Sequence, residues 1–82
     1  MIVLNGKRMD GKKQIHAELR EKLSLPEYYG SNLDALADCL DERRERELVV
    51  IERASDFLEA NESYGAALLR VFADHGFQVL LD

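Results

Sequence analysis

Apolar positions along this chain come in two kinds of run: short unbroken ones and longer periodic ones. Ile2-Val3-Leu4 is unbroken and closed by Asn5-Gly6. It reads as a strand buried on both faces, although so brief a run is ambiguous by periodicity alone. Asp10 can cap the next segment, in which Ile15, Leu19 and Leu23 recur at helical spacing. Pro26 pushes its predecessor toward extended geometry, so this helix is predicted to end near Ser24. Ser31 is a candidate N-cap, with Asp34 three positions on in a capping-box-like arrangement. Leu33, Leu36, Ala37 and Leu40 then mark one helical face. The charged block DERRERE, Asp41 to Glu47, follows, its arginines suited to a helix C-terminus.

Leu48 to Ile51 is β-branched and continuous, the second predicted strand. Ser55 to Leu58 reads as a short helical connector. From Ser63 onward, Tyr64, Leu68, Val71, Phe72 and His75 trace another amphipathic helix. Gly76 is placed to cap it, and Phe77 to Leu81 supplies a third strand. Each pair of strands is thus separated by enough chain for a crossover, the signature of parallel pairing with right-handed connections. The expected fold is α/β: a small three-stranded parallel sheet packed by three main helices and one short connecting helix.

Length allows one domain, residues 1–82, which buries only roughly 60–65% of its unfolded surface and so has a thin stability margin. The net charge is −5, from 16 acidic and 11 basic residues. Such a chain lacks the phosphate-binding footprint of a nucleic-acid binder. It suits a basic partner, or serves solubility alone. The single cysteine, Cys39, closes no intramolecular disulfide and builds no multi-cysteine metal site. No signal-peptide core and no membrane span is expected, which points to the reducing cytoplasm; a bacterial source fits.

Charge changes the reading of the helix after Ser31. At about 100° per residue, Asp34, Asp38, Asp41 and Glu42 share a stripe beside the leucines. Asp34 gains from the helix dipole in the first turn, but Asp38 lies beyond it and repels Asp34 at i,i+4. Tyr28 and Tyr29 precede the helix between Pro26 and Gly30, so one ring is expected inward and the other outward, as an interface anchor. A plain solvated face beside two half-buried core tyrosines is the alternative.

The segment LPEYYG-x-NLDAL-x-DCL, residues 25 to 40, closely resembles the barstar family, intracellular inhibitors of a secreted guanyl-specific ribonuclease. VLNG near the start, H-x-x-L-x-x-x-L-x-LPEYYG, LVVIE and VF follow the family in the same order, so the resemblance covers nearly the whole chain. It implies the fold predicted above, with no cofactor and no metal. The implied partner is a basic, barnase-like ribonuclease, bound by a monomer in a 1:1 complex. By the resemblance Asp38 takes the place of an RNA phosphate, facing arginine and histidine side chains, and Asp34 adds a second carboxylate. Tyr28 is the aromatic anchor, with Gly30, Asn32 and Leu33 forming adjoining surface, and Asp74 matches an acidic interface residue of the last helix. Ala37, within the same surface, stands where the archetype carries tryptophan. The block DERRERE replaces a glycine–tryptophan turn, and its Arg43, Arg44 and Arg46 place positive charge near the acidic helix.

Other classes are weighed on the same residues. His16 and His75 belong to no recognisable catalytic motif; the first is expected in packing or surface contacts, the second near a helix C-terminus. Cys39 reads as a small packing residue. Asp34 and Asp38 have no further clustered ligand for Mg²⁺ and no glycine-rich phosphate loop, so an enzyme is not expected. Ser31-Asn32-Leu33 loosely imitates the attachment site of a small acidic carrier protein, but carriers are all-helical. A module of barstar type serving a different basic partner remains the nearer rival.

Overall fold

The structure, a computed structural model, describes residues 1–82. Three parallel strands, β1 (Ile2–Asn5), β2 (Val49–Glu52) and β3 (Val79–Leu81), lie in the order β1-β2-β3. Ile2 stands opposite Val49, and Val49 opposite Val79. A 3₁₀ turn, Gly6–Arg8, leads to α1 (Lys12–Lys22) and α2 (Leu33–Glu42); α3 (Ala54–Ala60) and α4 (Glu62–Asp74) fill the second crossover. Both crossovers step in the same direction across the sheet. Right-handed connections therefore place every helix on one face.

Burial follows from that topology. Ile2, Leu4, Val49 and Ile51 face the helices and are buried, whereas Val3 and Val50 are half-buried and Leu80 is exposed. The expectation that Ile2-Val3-Leu4 is buried on both faces is corrected at Val3: two same-sense crossovers leave no helix to cover the far side. A core of 16 residues fills the space between the layers, with Phe57, Phe72, Leu4 and Ile15 among its fully buried members.

Element ends differ from expectation for identifiable reasons. α2 is capped by Asn32, whose Oδ1 accepts the Ala35 N–H at 2.8 Å. Ser31 sits at φ 53°, in the left-handed region, where it lacks the extended backbone an N-cap needs. α1 starts after Gly11 (φ 102°) without a side-chain cap, so Asp10 does not serve as one. Instead the Gly11 N–H donates to Asn61 Oδ1 at 2.9 Å, fifty positions away. Asn61 Nδ2 also donates to the Met9 and Phe57 carbonyls at 2.5 and 2.7 Å, so one buried amide joins the start of α1 to the end of α3. β2 begins at Val49, leaving Leu48 exposed, and Phe77 lies outside β3, packed edge-on against Phe72 at 5.8 Å.

Two glycines are required by the backbone. A Cβ on Gly6 would stand 2.5 Å from both the Glu52 and Arg53 carbonyl oxygens, so only glycine lets the chain leave β1 this close to the end of β2. Gly76 (φ 82°) follows the α4 C-cap His75, as predicted. Glu18 fixes α1 to β1: its Oε2 accepts the Asn5 N–H and the Lys22 ammonium, each at 2.9 Å. Burial alone would raise that carboxyl, but these donors outweigh it and hold it below the ordinary glutamate value.

Candidate functional site

α2 turns Leu36 and Leu40 into the core, which sends Asp38 straight outward and leaves Asp34, Asp41 and Glu42 exposed beside it. The helix start is fixed by Asn32 and by the loop before it. Tyr29 is 8% exposed and Tyr28 89%, so the predicted division between inward and outward rings holds.

The inward ring is anchored by a contact that sequence reasoning did not find. The Tyr29 hydroxyl lies 2.6 Å from His16 Nδ1, and the Tyr64 hydroxyl 2.6 Å from His16 Nε2. His16 is fully buried, and burial pushes its pKa down while pushing both phenols up. The neutral imidazole donates through one nitrogen and accepts through the other, satisfying the three groups without a net charge. Position 16 beside the buried Ile15 and Leu19 was the available signal; its partners, 13 and 48 residues away, were not.

Between the Leu23–Gly30 loop and α2 runs a groove of about 580 Å³. Tyr28, Gly30 and Asp38 line it, together with Leu25, Pro26, Cys39 and Glu42. The other expected site residues lie around it. Asn32 caps the helix, Leu33 is half-buried against the core, Asp34 is exposed in the first turn, and Ala37 is half-buried on the flank. Asp74, the last residue of α4, is exposed outside the groove. Its neighbour His75 binds Asp41 Oδ1 at 2.6 Å, tying the ends of α2 and α4 together.

Asp34, Asp38 and Glu42 make no ion pair within the protein. Two of the three arginines after α2 are held by partners of their own, and one of those, Arg43, is ion-paired. Arg43 donates to the Leu23 carbonyl at 3.0 Å and to Glu47 at 2.7 Å. Arg46 donates to the carbonyls of His75 and Arg43 and covers the Phe77 ring. Arg44 alone is exposed without such a partner. No group of three His, Cys, Asp or Glu side chains is arranged to hold a metal ion. No helix is long and apolar enough to cross a membrane. Three parallel strands also rule out the all-helical carrier.

A two-layer α/β domain with an acidic helix, an exposed tyrosine and a groove between them defines a barstar-like fold. The chain belongs to the Barstar (barnase inhibitor) family, which matches residues 1–79. Over 39 residues it is 46% identical to "Putative ribonuclease inhibitor YrdF" of Bacillus subtilis (strain 168). That stretch is 48% of this chain and 43% of the relative, less than half the length of either.

Proposed function

We propose that this chain inhibits a basic, barnase-like ribonuclease in the cytoplasm, covering the enzyme's active site with α2 in a 1:1 complex. The observation that carries the reading is Asp38: outermost on α2, without an ion pair, and on the same groove as the exposed Tyr28 ring. In the complex its carboxylate stands where an RNA phosphate would, with Asp34 beside it. Tyr28 packs against the enzyme, and Gly30, Asn32, Leu33 and Ala37 fill the surrounding surface. Asp74 adds charge at the rim. Family membership and the name of the Bacillus relative support the inhibitor role.

The test is inhibition of a panel of small basic ribonucleases, barnase included, followed by stopped-flow mixing with the enzyme that is inhibited. Stoichiometric inhibition is expected, with an association rate that falls about tenfold or more from low to high salt as the acidic face is screened. Inhibition of none, or a rate indifferent to salt, overturns the reading. A second reading, a different basic protein as target, is favoured by one observation: the chain contains no tryptophan, and Ala37 leaves the flank of the acidic stripe without an aromatic ring.

A further inference from the structure

We propose that His16 is a positioning residue: through Tyr29 it holds closed the loop that carries Tyr28, and protonation of its ring frees that loop while the sheet and helices stay folded. That the loop touches a ribonuclease rests on the inhibitor reading above; that His16 holds it does not.

The loop has few other ties. Between Pro26 and Ser31 the backbone makes one hydrogen bond of its own, from the Tyr29 N–H to the Pro26 carbonyl. The adjoining cap residue Asn32 adds one to the Gly30 carbonyl at 3.2 Å. The Tyr29 hydroxyl on His16 Nδ1 is the hydrogen bond that joins this stretch to an element other than its own ends. Ser24 and Ser31, at those two ends, both sit in the left-handed region, at φ 54° and 53°, so the closed loop carries strain that opening relieves. Tyr29 also lines the groove of about 580 Å³, which gives its ring room to swing out. The second partner of His16, Tyr64, is fixed on α4, so of the two it is the loop that can leave.

Protonation removes the reason for the loop to stay. The neutral ring accepts from one hydroxyl and donates to the other, whereas the charged ring has two donors and no acceptor. The hydroxyl that was donating must then turn its hydrogen away from the ring, beside a buried charge. No carboxylate pairs with His16 to offset that charge. Its ionisable surroundings are Tyr29 on the loop, Tyr64 on α4, Cys39 on α2 within electrostatic reach of Tyr29, and Lys12 on α1. The Lys12 ammonium stands 4.9 Å over the Tyr64 ring and opposes a second cation there. On the sheet, the inward side chains Ile2, Leu4, Val49 and Ile51 are apolar. Burial accordingly holds the closed ring below its ordinary pKa, and an open loop lets water restore the value near 6.5. The open form then gains up to about tenfold over the closed one for each pH unit below 6.5, until the pKa of the closed form is passed.

The test follows the open form in the free, isotopically labelled protein by NMR relaxation dispersion on the amides of Glu27 to Ser31, between pH 7 and pH 5. The ring nitrogens of His16 and His75 are titrated alongside. The open population is expected to rise below pH 6.5 with the midpoint of His16 and not that of His75, while the β2 amides stay quiet. Tyr29→Phe, which keeps the ring and removes the hydroxyl, should raise that population about fivefold, the worth of one hydrogen bond. Tyr64→Phe should leave it unchanged. A loop that stays closed to pH 5, an opening shared by β2, a midpoint that follows His75, or no effect of Tyr29→Phe overturns the proposal. Opening in acid by a chain that inhibits no ribonuclease sinks the inhibitor reading and leaves the role of His16 standing. Inhibition by a chain whose loop never opens sinks the role of His16 alone.

Discussion

Replacing Asp38 by alanine should weaken inhibition and strengthen the free protein. In the free state Asp38 has like charges one helical turn to either side, Asp34 and Glu42, and no cation to offset them. Each i,i+4 repulsion costs about 0.2–0.5 kcal/mol, toward the lower end at this exposed position. Alanine also exceeds aspartate as a helix former by up to about 0.7 kcal/mol. Together these give about 1 kcal/mol of added stability, or a rise of about 4–8 °C in melting temperature for a domain of this size. In the proposed complex the same change leaves the ribonuclease's cationic groups buried and unpaired. Breaking a buried ion pair from one side costs about 3–5 kcal/mol, roughly two to nearly four orders of magnitude in affinity. Thermal melts and an inhibition titration on one purified variant measure both. A structural aspartate cannot produce the two opposite signs. A lower melting temperature, or inhibition within about threefold of wild type, refutes the reasoning.

Asn61→Ala should cost about 2–4 kcal/mol, because it strands the buried Gly11 N–H and removes the donor to the Met9 and Phe57 carbonyls. Against a total of roughly 4–12 kcal/mol for a domain of this length, urea denaturation will show it plainly, and a loss under about 1 kcal/mol counts against the amide as a clamp. For pH, the folded His16 has a pKa below its unfolded value near 6.5, so the unfolded chain binds the extra proton and stability falls as pH drops through that window. Glu18, also held low when folded, adds loss of the same sign below the ordinary carboxylate range. Denaturation midpoints taken between neutral pH and pH 5 on a His75→Ala background isolate the His16 contribution, and a flat profile there contradicts it. Ala37→Trp should tighten inhibition of a barnase-like enzyme by adding aromatic surface beside Asp34 and Asp38; a lowered melting temperature would instead show that the half-buried flank cannot take the ring.

Apolar runs, helical spacing and turn residues together located the three strands and four helices, because each buries a face whose residues are close in sequence. Adjacency predicted that one of Tyr28 and Tyr29 turns inward and the other outward, since neighbouring residues generally point apart. What these signals missed depends on distant partners or on backbone conformation. Ser31 and Asn32 are both good capping residues by type, and only the left-handed φ of Ser31 decides between them. Asp10 is a plausible cap until Asn61 reaches the same turn from across the molecule. His16 carries no motif, yet it joins two tyrosines under the site loop. The arginines of DERRERE read as a block of like charge, and only the fold shows that Arg43 pairs with Glu47 and reaches the Leu23 carbonyl while Arg46 is held by the carbonyls of His75 and Arg43.

The distribution of charge bears on why the acidic helix persists. Glu27, Asp34, Asp38, Asp41 and Glu42 lie between positions 25 and 42 with no basic residue among them, and those five charges equal the whole net charge of −5. The other 11 acidic residues balance the 11 basic ones. Solubility would be served as well by charge scattered over the surface. Concentrating it on one loop and one helix has costs that scattering avoids: like charges at i,i+4, and carboxylates at the negative end of a helix dipole. The fold gives Asp41 a hydrogen bond to His75, and leaves Asp34, Asp38 and Glu42 without ion pairs. In the proposed complex a cationic surface covers the helix and relieves those costs, which gives the strain of the free protein and the affinity proposed for a basic partner one origin. Substitutions that relax the first should weaken the second. Variants of Asp34, Asp38 and Glu42 should therefore show melting temperature and inhibition moving in opposite directions, while exposed carboxylates elsewhere, such as Glu59 and Glu62, show no such coupling.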